Sequence, residues 1–239
     1  MKVMNQAGRI MDLTRQEFDK MTANGVRLQI IERELREIPE TESIIYTAIC
    51  GKYPIERDDI YCFTGEGMFQ EPVMEAKRYK ILPHKFFPEA EFTIWVDGNI
   101  YPKMQKDYMV AQLLGEADIA IFRHGFRENV YQEFEELRHD PRFHIPYLQD
   151  KMAEQEARYK KEGLPPVQLY ECNFMIRRNN SRVNDLMDKW WVEICRYSWR
   201  DQLSFPYVFW KYGKGVKLRV LDGNIRQHKL FKHIETYGI

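Results

Sequence analysis

No window of the 239-residue sequence reaches the roughly 18 consecutive apolar residues of a membrane span. The N-terminus, MKVMNQAGRIMDLTRQEF, lacks the continuous apolar stretch of a secretory leader. A cytoplasmic setting without membrane insertion is expected. Charge of one sign is also lacking: lysine plus arginine equals aspartate plus glutamate at 36 each, so the formal net charge is zero. A chain without a basic field is not expected to gather nucleic acid or acidic lipid. Cysteine is scarce, with four residues at 50, 62, 172 and 195 and no CxxC pair, so zinc-type spacing is absent and buried free thiols are expected. Nor is there a GxxxxGK[ST] phosphate loop, a GxGxxG turn, an HExxH pair or a GxSxG elbow. Internal repeats and low-complexity linkers are missing as well.

What is present is an apolar share of 44% and an aromatic share of 14%, enough for one sizeable core. Residues 1–42 are polar, with apolar positions at roughly helical intervals. They predict two helices broken near Asn24-Gly25 that pack on a larger body, a partner or a second copy of the chain. From Ser43 the texture changes. SIIYTAICG (43–51), DIYCFTG (59–65), FTIWVDG (92–98) and ADIAIFRHG (117–125) read as short strands. Helical patterns fall between and after them, at about 71–87, 105–116, 128–140, 140–166, 183–198 and 200–213, with further strands at 169–180 and 216–224. This alternation predicts one domain, 43–239, of α/β class: a mixed, mainly parallel sheet with helices on both faces.

In such sheets ligands sit beyond the carboxyl ends of the strands. The residues closing the strands are Tyr53, Thr64, Asp97 with Asn99, and His124 with Arg127. Asp97 in VDGN is either a turn former or a carboxylate for a hard divalent cation. Arg78 and Lys80, on a predicted helix, are either a solvated face or phosphate donors. His124, Arg127, Tyr131 and Glu133 cluster just after a strand, where His124 is either a structural or surface residue or, with Arg127, holds hydroxyl or phosphate groups in a donor or acceptor pocket. Glu171 and Asn173 alternate on a strand and so share a face. Asp201 and Gln202 open a helix, where Asp201 is either an N-cap or a polar group of the site.

Five of these stretches in order, IYTAICGKY, AKRYKILPH, FTIWVDGNI, FRHGFRENVYQE and RDQLSFPYVFWK, resemble the glycosyltransferase-like domain of the mucilage-related and turgor-regulation-defect family, over about residues 43–235. The resemblance implies a GT-A-like nucleotide-diphosphosugar transferase sandwich, similar to glycogenin-like retaining enzymes. It implies a hexosyltransferase moving a sugar from a UDP- or GDP-sugar to a glycan or other hydroxyl acceptor, with Mn2+ or Mg2+. Residue by residue it implies Tyr46, Thr47 and Ala48 for the base, Arg78 and Lys80 for the donor, and Asp97 and Asn99 for the metal. His228 or His233 completes the metal shell. The resemblance places Asp201 and Gln202 near the transferred sugar. From their strand positions alone, His124, Arg127, Glu171 and Asn173 are expected to form an acceptor or sugar pocket. Two positions depart from the family pattern: Asn99 replaces an acid, and Pro54 stands where an acid is frequent. They motivate the alternative of a non-catalytic nucleotide-sugar or glycan-binding module.

Overall fold

The computed structural model describes residues 2–5, 10–12, 20–21, 23–24, 28–30, 42–52, 55–64 and 69–235. Tyr53 and Pro54 lie outside them. The described part of the N-terminal region departs from the helical expectation: β1 (Lys2–Asn5), β2 (Ile10–Asp12) and β3 (Leu28–Ile30) form an antiparallel sheet in the order β2-β1-β3. Only Lys20, Met21 and Ala23 are helical there. In apolar runs of three or four residues the 3.6-residue and two-residue periods are indistinguishable, so long-range pairing decides.

The main body follows the predicted alternation. Its six-stranded sheet comprises β4 (Ser43–Ile49), β5 (Tyr61–Thr64), β6 (Phe92–Val96), β8 (Ile119–Arg123), β9 (Tyr170–Arg178) and β10 (Leu218–Leu221), in the order β10-β8-β9-β6-β4-β5. All neighbours are parallel except β9, which runs antiparallel between β6 and β8. A second small sheet pairs β7 (Ile100–Pro102) with β11 (Phe231–His233), so the C-terminal tail folds back onto the segment after β6.

Side-chain alternation divides the apolar residues between two layers. Trp95, Ile119, Ile121 and Met175 face a layer made by α1 (Pro72–Ile81), the short α2 (Pro83–Phe86), α4 (Val130–His139), α5 (Pro146–Lys161), α6 (Ser181–Arg196) and α7 (Asp201–Tyr212). Ile94, Val96, Ala120, Phe122, Phe174 and Ile176 face the opposite way, onto α3 (Lys106–Met109), a π turn over Val110–Leu114, and Phe231. Completely buried Trp190 donates from Nε1 to Ser204 Oγ at 2.8 Å, which satisfies its polar end while its ring fills the helical layer. Helix starts are set by polar caps: the Asn129 side chain accepts from Tyr131 and Gln132 amides, and Asn180 accepts from Val183. Beyond α5, Gly163 takes φ +80, as the predicted stop requires.

This topology positions one rim. The carboxyl ends of β4, β6 and β8 lie beside the amino end of antiparallel β9. Against β8, Ile121 pairs with Met175 but Phe122 pairs with Glu171, so residues 172–174 bulge away from β8. Asp97 instead draws them toward β6, its amide donating to the Asn173 carbonyl at 2.8 Å. Of the four cysteines, Cys172 is buried, Cys50 and Cys62 are half-buried, and Cys195 is exposed, against the expectation of four buried thiols. The exposed position follows from the outward face of α6.

Candidate active site

Two cavities open on this rim and share Lys77, Lys80 and Asp97 at their boundary. The first, about 300 Å³, is lined mainly by apolar groups, including Ala48, Ile49, Val73, Ala76 and Trp95. The second, about 240 Å³, is polar, with His124, Arg127, Glu171, Asn173, Gln202 and Arg226 in its wall. An apolar compartment, a charged divide and a polar compartment therefore stand in line.

The charged divide is a compact lattice. Lys77 Nζ lies 2.5 Å and Lys80 Nζ 2.6 Å from Asp201 Oδ2, and Lys80 reaches Asp97 Oδ1 at 3.3 Å. Trp95 Nε1 donates to the same Asp97 oxygen at 2.8 Å. Burial works against the charge on Lys80, yet Asp201 and Asp97 outweigh it and hold its pKa above the ordinary value. Burial likewise opposes ionisation of Asp201, and the Lys77 and Lys80 ammoniums reverse that, keeping it a carboxylate. For Lys77 burial prevails and lowers the pKa. An ammonium has three donors. Among the described residues Lys77 uses one and Lys80 two, which leaves N–H groups for an anionic ligand.

Asp97, its side chain 41% exposed, thus stands at the divide as the spacing implied. Asp201 is there too, but as the first residue of α7 rather than as an N-cap. Its Oδ1 accepts from the Gln202 amide while Oδ2 takes both lysines. Arg78 does not line either cavity: its guanidinium pairs with Glu75 and lies over the rings of Tyr79 and Phe86. Lys77 takes the place expected of Arg78, because Val73, Ala76, Lys77 and Lys80 repeat at helical spacing and turn one face of α1 to the cavity.

Tyr46 is a second correction. It is completely buried in the core, its hydroxyl donating to the Lys80 carbonyl at 3.1 Å and accepting from Arg177, with burial pushing its pKa up to about 12. It lies too deep along β4 to touch a ligand, whereas Ala48, two residues nearer the strand end on the same face, lines the apolar cavity. Thr47 is completely buried, points to the other layer and lines neither cavity. Thr64 is exposed at the edge strand. Tyr131 is also structural, donating to the Leu164 carbonyl at 2.8 Å.

On the polar side, His124, Arg127, Glu171, Asn173 and Gln202 come together as expected. His124 Nδ1 accepts from the amides of Phe126 and Arg127 at 3.2 and 2.9 Å, so its ring is neutral with the proton on Nε2. Burial first, then the Arg127 charge, lowers its pKa to about 4. Glu171 is pushed up, chiefly by burial. Glu133, completely buried, holds Arg127 Nε at 2.5 Å and Arg200 Nε at 2.8 Å, anchoring two cations of the wall. Arg142, Arg200, Arg226 and exposed Phe126 also face this cavity and are not among the residues singled out from the sequence. Arg200 immediately precedes the recognised Asp-Gln pair and Phe126 lies between His124 and Arg127, whereas Arg142 and Arg226 fall in no recognised stretch.

The metal expectation divides the two late histidines. His233 Nε2 lies 3.2 Å from Asn99 Nδ2, while His228 packs its ring against Phe122 and Phe231. Among the described residues no three His, Cys, Asp or Glu side chains converge as a metal shell. Magnesium-type binding does not require one, since one or two carboxylates with substrate phosphates and water suffice. Asp97 is a carboxylate that suits such a role, and Asn99, two residues on, lies beside His233 of β11.

The family described as "TOD1/MUCI70, glycosyltransferase-like domain" matches residues 63–235. The chain is 26% identical over 168 residues to alkaline ceramidase TOD1 of Arabidopsis thaliana, covering 66% of this chain and 36% of that protein. It is 28% identical over 140 residues to probable hexosyltransferase MUCI70 of the same plant, covering 54% of this chain and 23% of the relative. It therefore spans about a third and about a quarter of these relatives. Two solved structures are similar in outline. A glycosyltransferase involved in glycosylation of the major capsid of PBCV-1 has TM-score 0.41 and 13% identity over 74% of this chain and 81% of that one. Mouse xyloside xylosyltransferase 1 has TM-score 0.37 and 14% identity over 68% and 63%. At those scores neither bears on the site. With a family match over residues 63–235, most of its length, this chain belongs to the TOD1/MUCI70 glycosyltransferase-like domain family.

Proposed function

We propose that this domain transfers a glycosyl group from a nucleotide-diphosphosugar to a hydroxyl acceptor. One observation carries the reading: an apolar and a polar cavity adjoin through Lys77, Lys80 and Asp97. A nucleotide-sugar has the same order of chemistry, with a planar base, a charged diphosphate and a hydroxylated ring. In this reading the base lies by Ala48 and Val73, the diphosphate oxygens accept from Lys77 and Lys80, and the sugar enters the polar cavity.

In the transfer, the bond from the anomeric carbon to the diphosphate oxygen breaks and one to the acceptor oxygen forms. The acceptor's proton passes to the departing phosphate oxygen. The chain's contribution is electrostatic: the lysines, held by Asp201 before substrate arrives, stabilise charge as it develops on the leaving group. Mn2+ or Mg2+ at Asp97, with Asn99 and His233 as further candidate donors, is proposed to supply additional charge stabilisation.

The two plant relatives bear different activities in their names. Acyl transfer through a serine or thiol finds little support, because no serine lines either cavity among the described residues. Burial also pushes the Cys50 thiol up to about 11 and raises that of Cys172 well above its ordinary value, leaving both poor nucleophiles. Asn99, with its amide beside His233, favours one second reading: a module that binds nucleotide-sugar without turnover. Calorimetric titration with UDP- and GDP-sugars, followed by mass spectrometry of acceptor mixtures, separates the two. Binding with a transferred hexose supports transfer, binding alone supports the module, and binding of neither donor class sinks both.

A further inference from the structure

Arg177, on β9, is 1% exposed, and its acceptors among the described residues are all neutral. Nη1 donates to the Lys80 carbonyl at 2.6 Å and to Met187 Sδ at 3.7 Å, Nη2 donates to the Tyr46 hydroxyl at 2.5 Å, and Nε meets no acceptor. A buried guanidinium without a carboxylate is costly, and an apolar residue of similar volume is often no less stable in such a place. Stability alone therefore gives this position little reason to be arginine.

The carbonyl it holds belongs to the lysine of the charged divide. α1 ends at Ile81, where Leu82 leaves helical geometry at φ −109 and ψ 44 and Pro83 opens α2. The last four carbonyls of a helix have no partner within it, and that of Lys80 is one of them. It receives instead two side-chain donors, Arg177 from β9 and the Tyr46 hydroxyl from β4, the latter at 3.1 Å. β9 and β4 are the two neighbours of β6, the strand that delivers Asp97. Lys80 Nζ lies 5.4 Å from the ring centroid of Trp95 on β6 and ends between Asp97 and Asp201. The backbone of Lys80 is thus tied to the strands on either side of the acid that its side chain meets. Released from that tie, the last turn of α1 is free to fray as helix ends do.

We infer that Arg177, supported by Tyr46, is a positioning residue: it holds the Lys80 ammonium at the charged divide through the lysine's own carbonyl and touches no ligand itself. The part Lys80 plays toward a diphosphate rests on the glycosyl-transfer reading. The placement of its ammonium does not.

Arg177→Lys, Arg177→Met and Tyr46→Phe in the full chain test this by thermal unfolding, calorimetric titration with UDP, and proton–nitrogen NMR spectra of the lysine ammonium groups, where Lys80→Gln assigns the Lys80 signal. Methionine suits an apolar site and lysine does not, so unfolding temperatures are expected to rank Arg177→Met above Arg177→Lys. Lysine keeps a donor for the carbonyl and methionine has none, so UDP affinity is expected to rank the other way. It should be about tenfold weaker than wild type in Arg177→Met and within about threefold in Arg177→Lys. The Lys80 ammonium signal, visible where burial and hydrogen bonds slow exchange, is expected in the wild type and in Arg177→Lys and is lost in Arg177→Met. Tyr46→Phe removes the second donor and is expected to weaken that signal and to lower UDP affinity about threefold, so it decides if Arg177→Met does not fold. UDP affinities that follow the unfolding temperatures overturn the inference. So does a Lys80 signal that is absent from the wild type, or unchanged in Arg177→Met or, failing that variant, in Tyr46→Phe. If UDP does not bind the wild type while the Lys80 signal keeps the expected order, the glycosyl-transfer reading fails and the positioning role of Arg177 stands.

Discussion

Lys80 and Asp201 lie 121 residues apart in sequence and 2.6 Å apart in space, one at the end of α1 and the other at the start of α7. Both are almost fully buried, so the pair ties a helix packed on β4 to a helix packed on β9. Breaking a buried pair from one side leaves an uncompensated charge. Asp201→Ala leaves Lys77 without its carboxylate and Lys80 with Asp97 alone, and is expected to cost about 3–5 kcal/mol in urea unfolding. Asp97→Ala removes a carboxylate that is 41% exposed and is expected to cost under about 1 kcal/mol while weakening UDP-sugar binding. Equal stability losses in the two variants would contradict the division of roles.

The face of α1 that meets the ligand is set by Lys77 rather than Arg78. Lys77→Gln removes a charged donor at the divide and is expected to weaken UDP-glucose binding about tenfold in calorimetric titration. Arg78→Gln removes a side chain paired with Glu75 and stacked on Tyr79, outside both cavities. Its binding is expected to stay within about twofold of the wild type. The reverse order would place the donor on another face of the helix.

His124 provides a pH signature. Its folded pKa, lowered to about 4, lies below the ordinary histidine value near 6.5. Between those values the unfolded chain takes up a proton that the folded chain refuses, so stability is full above about pH 6.5 and falls as pH drops toward about 4. In His124→Asn, whose carbonyl can still accept from the Phe126 and Arg127 amides, this part of the acid loss is expected to disappear from unfolding curves measured across the window. An imidazole NMR signal of His124 that titrates near pH 6.5 in the native protein would refute the assignment.

How much of this was legible depends on the range of the interactions involved. Strands β4, β6 and β8 and helices α5 to α7 were readable because their apolar periods and Gly or Pro stops are local. The place of β9 was not, since YECNFMIRR has the same local pattern whether it pairs parallel or antiparallel; its pairing to β6 and β8 is set by distant residues. The same distinction separates the site residues. Asp97, Glu171 and Asn173 were found from strand ends and alternation, which fix direction. Tyr46 was misplaced because a motif gives no depth along a strand, and Arg78 because adjacency in sequence ignores that neighbouring helical residues point about 100° apart. Arg226 reaches the polar cavity from a turn after β10 that no local pattern connects to it.

Asp97 is one carboxylate, and its Oδ1 already faces the Lys80 ammonium at 3.3 Å and the Trp95 indole. A cation arriving alone would compete with that ammonium for a single acidic group, and Asn99 and His233 add no negative charge. A bound diphosphate changes the balance, because it supplies further anionic oxygens and can draw Lys80 toward itself. Mn2+ is therefore expected to bind the free protein only weakly, in the millimolar range on the order set for sparse carboxylate sites. In the presence of UDP it is expected to strengthen binding of the nucleotide about tenfold. Asp97→Ala should abolish that increment while UDP binding without metal persists through Lys77 and Lys80. His233→Ala should reduce the increment only if the imidazole joins the metal, whereas His228→Ala, whose ring packs on Phe122 and Phe231, should leave it unchanged. Tight Mn2+ binding without nucleotide, or an increment indifferent to Asp97, would remove Asp97 from the metal site and leave the lysines as the sole source of charge for the leaving diphosphate.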